Sequence, residues 1–403
     1  MKDGYIGGNT LSRDVPESVK VDGKRHVEII ADLNEVHQLS YEERENLERV
    51  ALKFGFLANS YYLSLINWDD PDDPIRKMII PDLQELDGDG SFDASQESKV
   101  TVRRGIEHKY ERTALILSTR ACGSICRFCF RKRLFIKGNS EIAIDLTEAF
   151  EYIRDHSEIS NVLITGGDSL MLPTGRIARI LVQLRAIPHV KSIRFGTRLL
   201  AINPFRIIDD PSLLELFRKY SYPDARIYIV NHFNHPREIT DHSIEAVRRL
   251  IANGLVLLNQ TPLLNGINDD PDILAELFTK LSHIGVAPYY IFQCRPTVGN
   301  GHFKVPFKRG IDIIEGARKQ VSGLAKRARY VGSHATGKIE IIGYDAEHMY
   351  FKYLQSKDPN YFGQFIKLPR NDEAAWWSDW MPEGKSFTLE SCPEVGLGSC
   401  PVD

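Results

Sequence analysis

Six short, apolar, β-branched segments, each followed by a helical pattern, constrain this chain more than any other feature. The segments lie at 114–118, 161–165, 192–196, 225–230, 255–260 and 287–293, and the helical patterns near 146–156, 172–187, 211–221, 241–253, 270–284 and 308–322. Near-continuous apolar strands alternating with amphipathic helices mean a parallel sheet with helices outside. Six units fall short of a closed (β/α)8 barrel, and in a barrel-like sheet chemistry gathers at the C-terminal strand ends. All six ends are polar here. They read as a cysteine-rich loop, then Gly166-Gly167-Asp168, Thr197-Arg198, Asn231-His232-Phe233-Asn234-His235, Gln260-Thr261 and Cys294-Arg295.

The first strand delivers Cys122, Cys126 and Cys129 within eight residues, followed by Arg131, Lys132 and Arg133. Three thiolates at C-x3-C-x2-C spacing can hold three corners of a 4Fe-4S cluster and leave its fourth iron open to a small molecule. Zinc would call for a fourth ligand, usually from a second C-x2-C pair, and the chain has none. Three structural thiols would have no reason to share this spacing.

The segment CGSICRFCFRKR resembles the radical S-adenosylmethionine (radical SAM) superfamily, and within it the lysine 2,3-aminomutase family. That resemblance implies an α/β fold: a partial (β/α)6, TIM-like radical SAM barrel with an N-terminal helical region and a C-terminal β-hairpin extension. It implies an enzyme, an intramolecular aminotransferase that moves an α-amino group to the β-carbon. Its cofactors would be a 4Fe-4S cluster, S-adenosyl-L-methionine (SAM) and pyridoxal 5′-phosphate (PLP). By the same resemblance Gly166, Gly167 and Asp168 support the amino group of SAM, although Gly-Gly-Asp also makes an ordinary turn. The stretch HFNHPREIT at 232–240 is similar to a family segment, so His232 and Gln260 are expected near the adenosyl part, with Arg198 as a further SAM residue. For Asn234 and His235 a capped loop is the simpler reading.

After the barrel, Gly337-Lys338 stands where the family carries a glycine-rich loop ending in the PLP lysine. A lysine in an apolar environment can lose its proton and act as a nucleophile. The loop here is SHATGKIEI rather than a run of glycines, and a lone Gly-Lys can also be a turn with a solvated lysine. Arg131 matches the arginine that pairs the substrate α-carboxylate, a task suited to a planar guanidinium fork. HKYER resembles the segment that reaches the PLP phosphate, with Lys109 and Arg112 as candidates and Thr113 in place of a second family arginine. The family reads a lysine ammonium with two aspartates. Here those positions hold Arg295 and, nearby, Val331. An unpaired buried arginine facing an ammonium is strongly unfavourable. Free lysine is therefore not expected, and an acidic amino acid such as glutamate fits Arg295.

Elsewhere, residues 1–25 read as a polar arm, and 32–65 as helical with a Ser40/Glu43 capping box. The 68–81 segment reads as a capped turn, because Pro71 and Pro74 interrupt a regular helix. Expected domain limits are 1–105, 106–325 and 326–403. Cys392 and Cys400 read as free thiols in a tail, and the 376–380 tryptophan cluster as packing on the domain or on a second subunit. A net charge of −3 gives no reason to expect nucleic acid or an anionic membrane. No apolar run approaches the ~20 residues of a membrane span. Cysteine usage fits a reducing cytoplasm. The expected partners are a small amino acid, an electron donor such as flavodoxin or ferredoxin, and a second copy of the chain in a homo-oligomer. Competing readings are a PLP-independent radical SAM enzyme, an aminomutase acting on a protein lysine, and a non-catalytic iron–sulfur or zinc module. The last is disfavoured by the six polar strand ends.

Overall fold

The computed structural model describes residues 20–21, 24–25, 27–88, 90–135, 139–382 and 387. Most of the arm at 1–25, and both Cys392 and Cys400, lie outside the described residues.

The N-terminal segment carries α1 (Tyr41–Phe54), a single helical turn at Ser60–Leu63, and α2 (Pro74–Ile79). The capping box forms as expected: Ser40 Oγ accepts from Glu43 N at 3.2 Å and Glu43 Oε2 from Ser40 N at 3.4 Å. Pro74 starts a helix instead of preventing one. It sits in the first turn, where its missing N–H is no loss, and Asp73 caps the end by accepting from Ile75 N at 2.8 Å.

One twelve-stranded sheet then takes the chain in sequence order. Its strands are β1 (Thr101–Arg103), β2 (Ile106–Tyr110), β3 (Thr113–Thr119), β4 (Asn161–Gly166), β5 (Ser192–Gly196), β6 (Ile227–Asn231), β7 (Val256–Leu263), β8 (Ala287–Gln293), β9 (Arg329–Ser333), β10 (Gly337–Tyr344), β11 (His348–Ser356) and β12 (Phe365–Pro369). Strands β3 to β9 are parallel, whereas β1–β3 and β9–β12 pair antiparallel. Each strand from β3 to β8 is followed by a helix, α3 (Thr147–Asp155), α4 (Thr174–Arg185), α5 (Pro211–Tyr220), α6 (Asp241–Ala252), α7 (Pro271–His283) and α8 (Phe307–Gln320). The six expected strand–helix units are all present.

Helix α7 shows why these segments are helical. Asp270 accepts from Asp272 N at 2.8 Å, Pro271 occupies the first turn, and Leu274, Leu277, Phe278 and Leu281 bury one face. Strand residues Ile164, Ile193, Phe195, Ile229 and Ile291 meet such faces with no exposed surface.

The sheet curls. In a flat sheet, β2 and β9 would stand about 34 Å apart, seven strand spacings. Yet Lys109 of β2 donates to the carbonyl of His334, just after β9, and Ser95 Oγ donates to Ser333 O at 2.6 Å. The result is a partial barrel in which β2 and the segment before β1 come round to the end of β9. One sheet crosses both expected domain limits. One apolar core joins Tyr62 and Ile79 to Phe195 and Ile229 and to Phe351 and Trp377. Trp377 is fully buried against Phe307, with ring centroids 5.1 Å apart, so this cluster packs on the domain itself. Among the described residues no helix is long and apolar enough to cross a membrane.

Candidate active site

Beyond β3 the chain turns through Cys122, Cys126 and Cys129, all half-buried. Burial, and after it the neighbouring thiols, raise the Cys122 and Cys129 thiols above their ordinary value. Among the described residues no group of three or more His, Cys, Asp or Glu is closed around a single metal ion.

The loop is pinned from beneath. Arg127 forks onto Glu85 with two contacts of 2.8 Å and donates to Gly55 O, also at 2.8 Å. From β4, Gly167 N and Asp168 N donate to Thr119 O and Ala121 O at 2.7 and 2.8 Å. A Cβ at Gly166 or at Gly167 would lie 2.4 Å from one of those carbonyl oxygens, which explains both glycines by the closeness of the cysteine loop. The Asp168 carboxylate is turned inward, accepting from Thr197 Oγ1 and Arg198 N at 2.7 Å each, and burial raises its pKa.

Arg198 is the hub on this side. It donates to Cys126 Sγ at 2.8 Å, and to Tyr62 Oη and Glu238 Oε1 at 2.7 Å each. Arg198 also reaches Met78 Sδ at 3.2 Å, which brings the 68–81 segment to the cysteine site. His232 leans on Phe128 with centroids 6.1 Å apart; burial, then the Arg198 charge, pushes its pKa down to about 3, so its ring is neutral. Asn234 and His235 are tied into the loop as expected: Asn234 Oδ1 accepts from Thr261 Oγ1 at 3.0 Å, and His235 Nδ1 accepts from Arg237 N at 3.2 Å. Gln260 pairs with Tyr290 on the neighbouring strand and lies towards the other half of the site.

That second half centres on Lys338. It lies within β10, opposite Ser333, and not in a glycine-hinged loop. Gly337 is required because a Cβ there would lie 2.3 Å from the Gln355 carbonyl oxygen. The Lys338 amine stands 4.1 Å above the Tyr290 ring and 5.7 Å from that of Phe292. Burial lowers its pKa to about 7, helped by the charges of Arg194, Arg295 and Lys109. Lys109 is itself lowered to about 8, first by burial and then by Arg295. Tyr110 Oη is buried beside Ser333, and the buried Arg131 Nε has no hydrogen-bond partner among the described residues.

Arg131 Nη1 donates to Thr165 Oγ1 at 3.0 Å, and its guanidinium stacks on Phe130 at 4.7 Å. Arg295 stacks on the same ring at 3.8 Å and donates to Glu97 Oε1 at 2.9 Å. Arg295 is therefore not the unpaired cation on which the sequence argument against lysine rests. Arg112 is exposed in the turn between β2 and β3, at the N-terminal end of the parallel strands, and is not brought to the site. Reading the sequence missed Glu97, Tyr110 and Arg194. The mid-strand Arg194 in SIRFG was a visible signal, since a charge amid an apolar strand demands a reason. Nothing local marks Glu97.

A radical SAM superfamily model matches residues 116–278. A putative L-lysine 2,3-aminomutase of Aquifex aeolicus is 52% identical over 359 residues, covering 89% of this chain and 96% of the relative. Glutamate 2,3-aminomutase of Clostridioides difficile is 38% identical, covering 85% and 80%, and L-lysine 2,3-aminomutase of Clostridium subterminale is 36% identical, covering 74% and 71%. The superfamily implies a 4Fe-4S cluster and SAM, and three free cysteines on one loop, with Arg198 donating to Cys126, are of the donor type that such a cluster takes. With strand order, cysteine loop and relatives in agreement, the chain belongs to the lysine 2,3-aminomutase family and is an enzyme of the radical SAM isomerase type.

Proposed function

We propose that this enzyme is an amino acid 2,3-aminomutase that holds PLP on Lys338 and acts on an acidic amino acid such as glutamate. The observation that carries the reading is the Lys338 amine, half-buried over Tyr290 with its pKa brought down to about 7. Such an amine is a nucleophile near neutrality. When bound, the cluster and SAM would supply a 5′-deoxyadenosyl radical, and PLP would activate the substrate amine for migration. The chain's own residues bind and orient. Cys122, Cys126 and Cys129 hold the cluster; Arg198, His232 and Gln260, with the 166–168 turn, frame SAM. Lys109 offers its charge to a phosphate, Arg131 its fork to the α-carboxylate, and Arg295 a cation for a second carboxylate. Arg112 is set aside, because it is exposed at the far end of the strands. A reducing cytoplasm and a flavodoxin or ferredoxin as electron source belong to the same reading.

The test is borohydride reduction of anaerobically purified, PLP-supplemented protein, followed by peptide mass mapping. The expected result is a pyridoxyl adduct on Lys338 that disappears in Lys338→Ala. No adduct at any lysine would sink the PLP chemistry and leave the family membership intact.

A further inference from the structure

Arg131 and Arg295, the two arginines that the proposed reaction gives to substrate, converge on one internal carboxylate. Glu97 Oε1 accepts from Arg295 at 2.9 Å, and its Oε2 accepts from Arg133 at 2.7 Å. Arg131 Nε stops 3.8 Å from the same oxygen, too far for a hydrogen bond. Both substrate arginines stack on Phe130, so their guanidinium carbons are no more than 8.5 Å apart. Burial alone would raise the Glu97 carboxyl, but Arg131, Arg295 and Arg133 hold it well below the carboxylate range. Glu97 is thus an ionised carboxylate standing where a ligand carboxylate would stand.

Arg133 differs from the other two. It also contacts Glu141 at 2.9 Å and Glu107 at 3.2 Å, so it stays paired whichever way Glu97 turns. Glu107 is held up to about 8, by burial and then by the charge of Glu97. Loss of that charge favours the ionised form of Glu107, which already contacts Arg133. The pocket therefore tolerates a change at Glu97 without stranding a buried cation on that side.

We propose that Glu97 is the specificity-determining residue of this site. It is an internal carboxylate that occupies Arg295 in the resting enzyme and competes with the side-chain carboxylate of an acidic amino acid. The proposal rests on the aminomutase reading only for the roles of Arg131 and Arg295. A substrate without a side-chain carboxylate leaves the Glu97–Arg295 pair intact, whereas an acidic one must displace it. The strength of the internal pair sets how far acidic substrates are favoured.

The experiment is calorimetric titration of the PLP- and SAM-loaded enzyme, without reductant so that no turnover occurs. L-glutamate and L-alanine are the probes. In Glu97→Gln the dissociation constant for L-glutamate should fall about tenfold, the scale of one partly buried charge pair, and that for L-alanine, which gains only at Arg131, should fall clearly less. Glu97→Asp, charged but shorter, should give an intermediate ratio and decides the matter if the Gln variant does not fold. A residue that only braces the fold would shift both probes alike. Equal shifts, or an unchanged ratio in both variants, overturn the proposal. Binding of neither amino acid to any form overturns it together with the acidic-substrate reading. The ratio shift without a borohydride adduct on Lys338 supports it and removes only the PLP chemistry.

Discussion

Around the cysteine loop, buried cations are matched to carboxylates; around Lys338 the cations are in excess. Arg127 and Glu85 form a forked pair whose side chains have no exposed surface, and Arg198 meets Glu238 at 2.7 Å. The charges that weigh most on Lys338 are Arg194, Arg295 and Lys109, all positive, and the nearby Glu97 is shared among three arginines. A matched pair in low dielectric fixes geometry, because either partner left alone is costly. An unmatched cluster of cations stores an attraction for anions instead. The first arrangement holds the cysteine loop still, and the second suits the phosphate and carboxylates of the proposed function.

The comparison breaks most visibly if the matched side tolerates loss of a partner. Glu85→Leu strands Arg127 in the core and should cost about 3–5 kcal/mol in denaturant unfolding, with weakened iron retention. The double variant Glu85→Leu/Arg127→Leu should recover part of that stability, because two apolar side chains replace the pair while Lys132, 3.6 Å from Glu85 Oε2, still loses its carboxylate. If the single and double variants are equally unstable, the pair is not what holds the loop.

A smaller effect is expected where the cysteine loop presses on β4. Gly166 has φ +124°, and a Cβ there would meet the Thr119 carbonyl oxygen at 2.4 Å. Gly166→Ala should destabilise by about 1–3 kcal/mol through backbone strain and overpacking. Gly175→Ala, in open space within α4, serves as the control and should be neutral or slightly stabilising in the same unfolding assay.

These two regions also differ in how far a reader of the sequence could see them. The cysteine loop is contiguous: its three thiols are adjacent in the chain, and strand–helix periodicity places it at the end of the first parallel strand. The order of the strands and the Ser40/Glu43 cap were legible for the same reason, since each is a local pattern. The Lys338 site is assembled from β2, β5, β8 and β10 and from the turn that carries Glu97. No local pattern announces that Arg194 lies near Lys338, or that Arg295 has a partner 198 positions away. The same limit explains Arg112. Spacing put it in a family segment, but the β2–β3 turn carries it to the wrong end of the strands. Pro74 was misread because a proline breaks a helix only after the first turn.

The unmatched side is sharpened by titrating it. Lys338 is brought from its ordinary 10.5 down to about 7, first by burial and then by Arg194. Below that midpoint the amine is protonated and cannot attack an aldehyde; above it the amine is neutral and can. The yield of borohydride-trapped adduct at Lys338 after a short exposure to PLP should therefore rise between about pH 6 and 8 and level off above. A solvated lysine would keep rising towards pH 10. Removing a like charge favours the protonated form, so Arg194→Met should move the midpoint up by about 0.5–1 unit and slow capture at pH 7. An unmoved midpoint would mean that the enclosure over Tyr290 and Phe292 sets the amine by itself. The excess of positive charge would then serve ligand binding alone, and the contrast between the two halves would rest on geometry rather than on electrostatics.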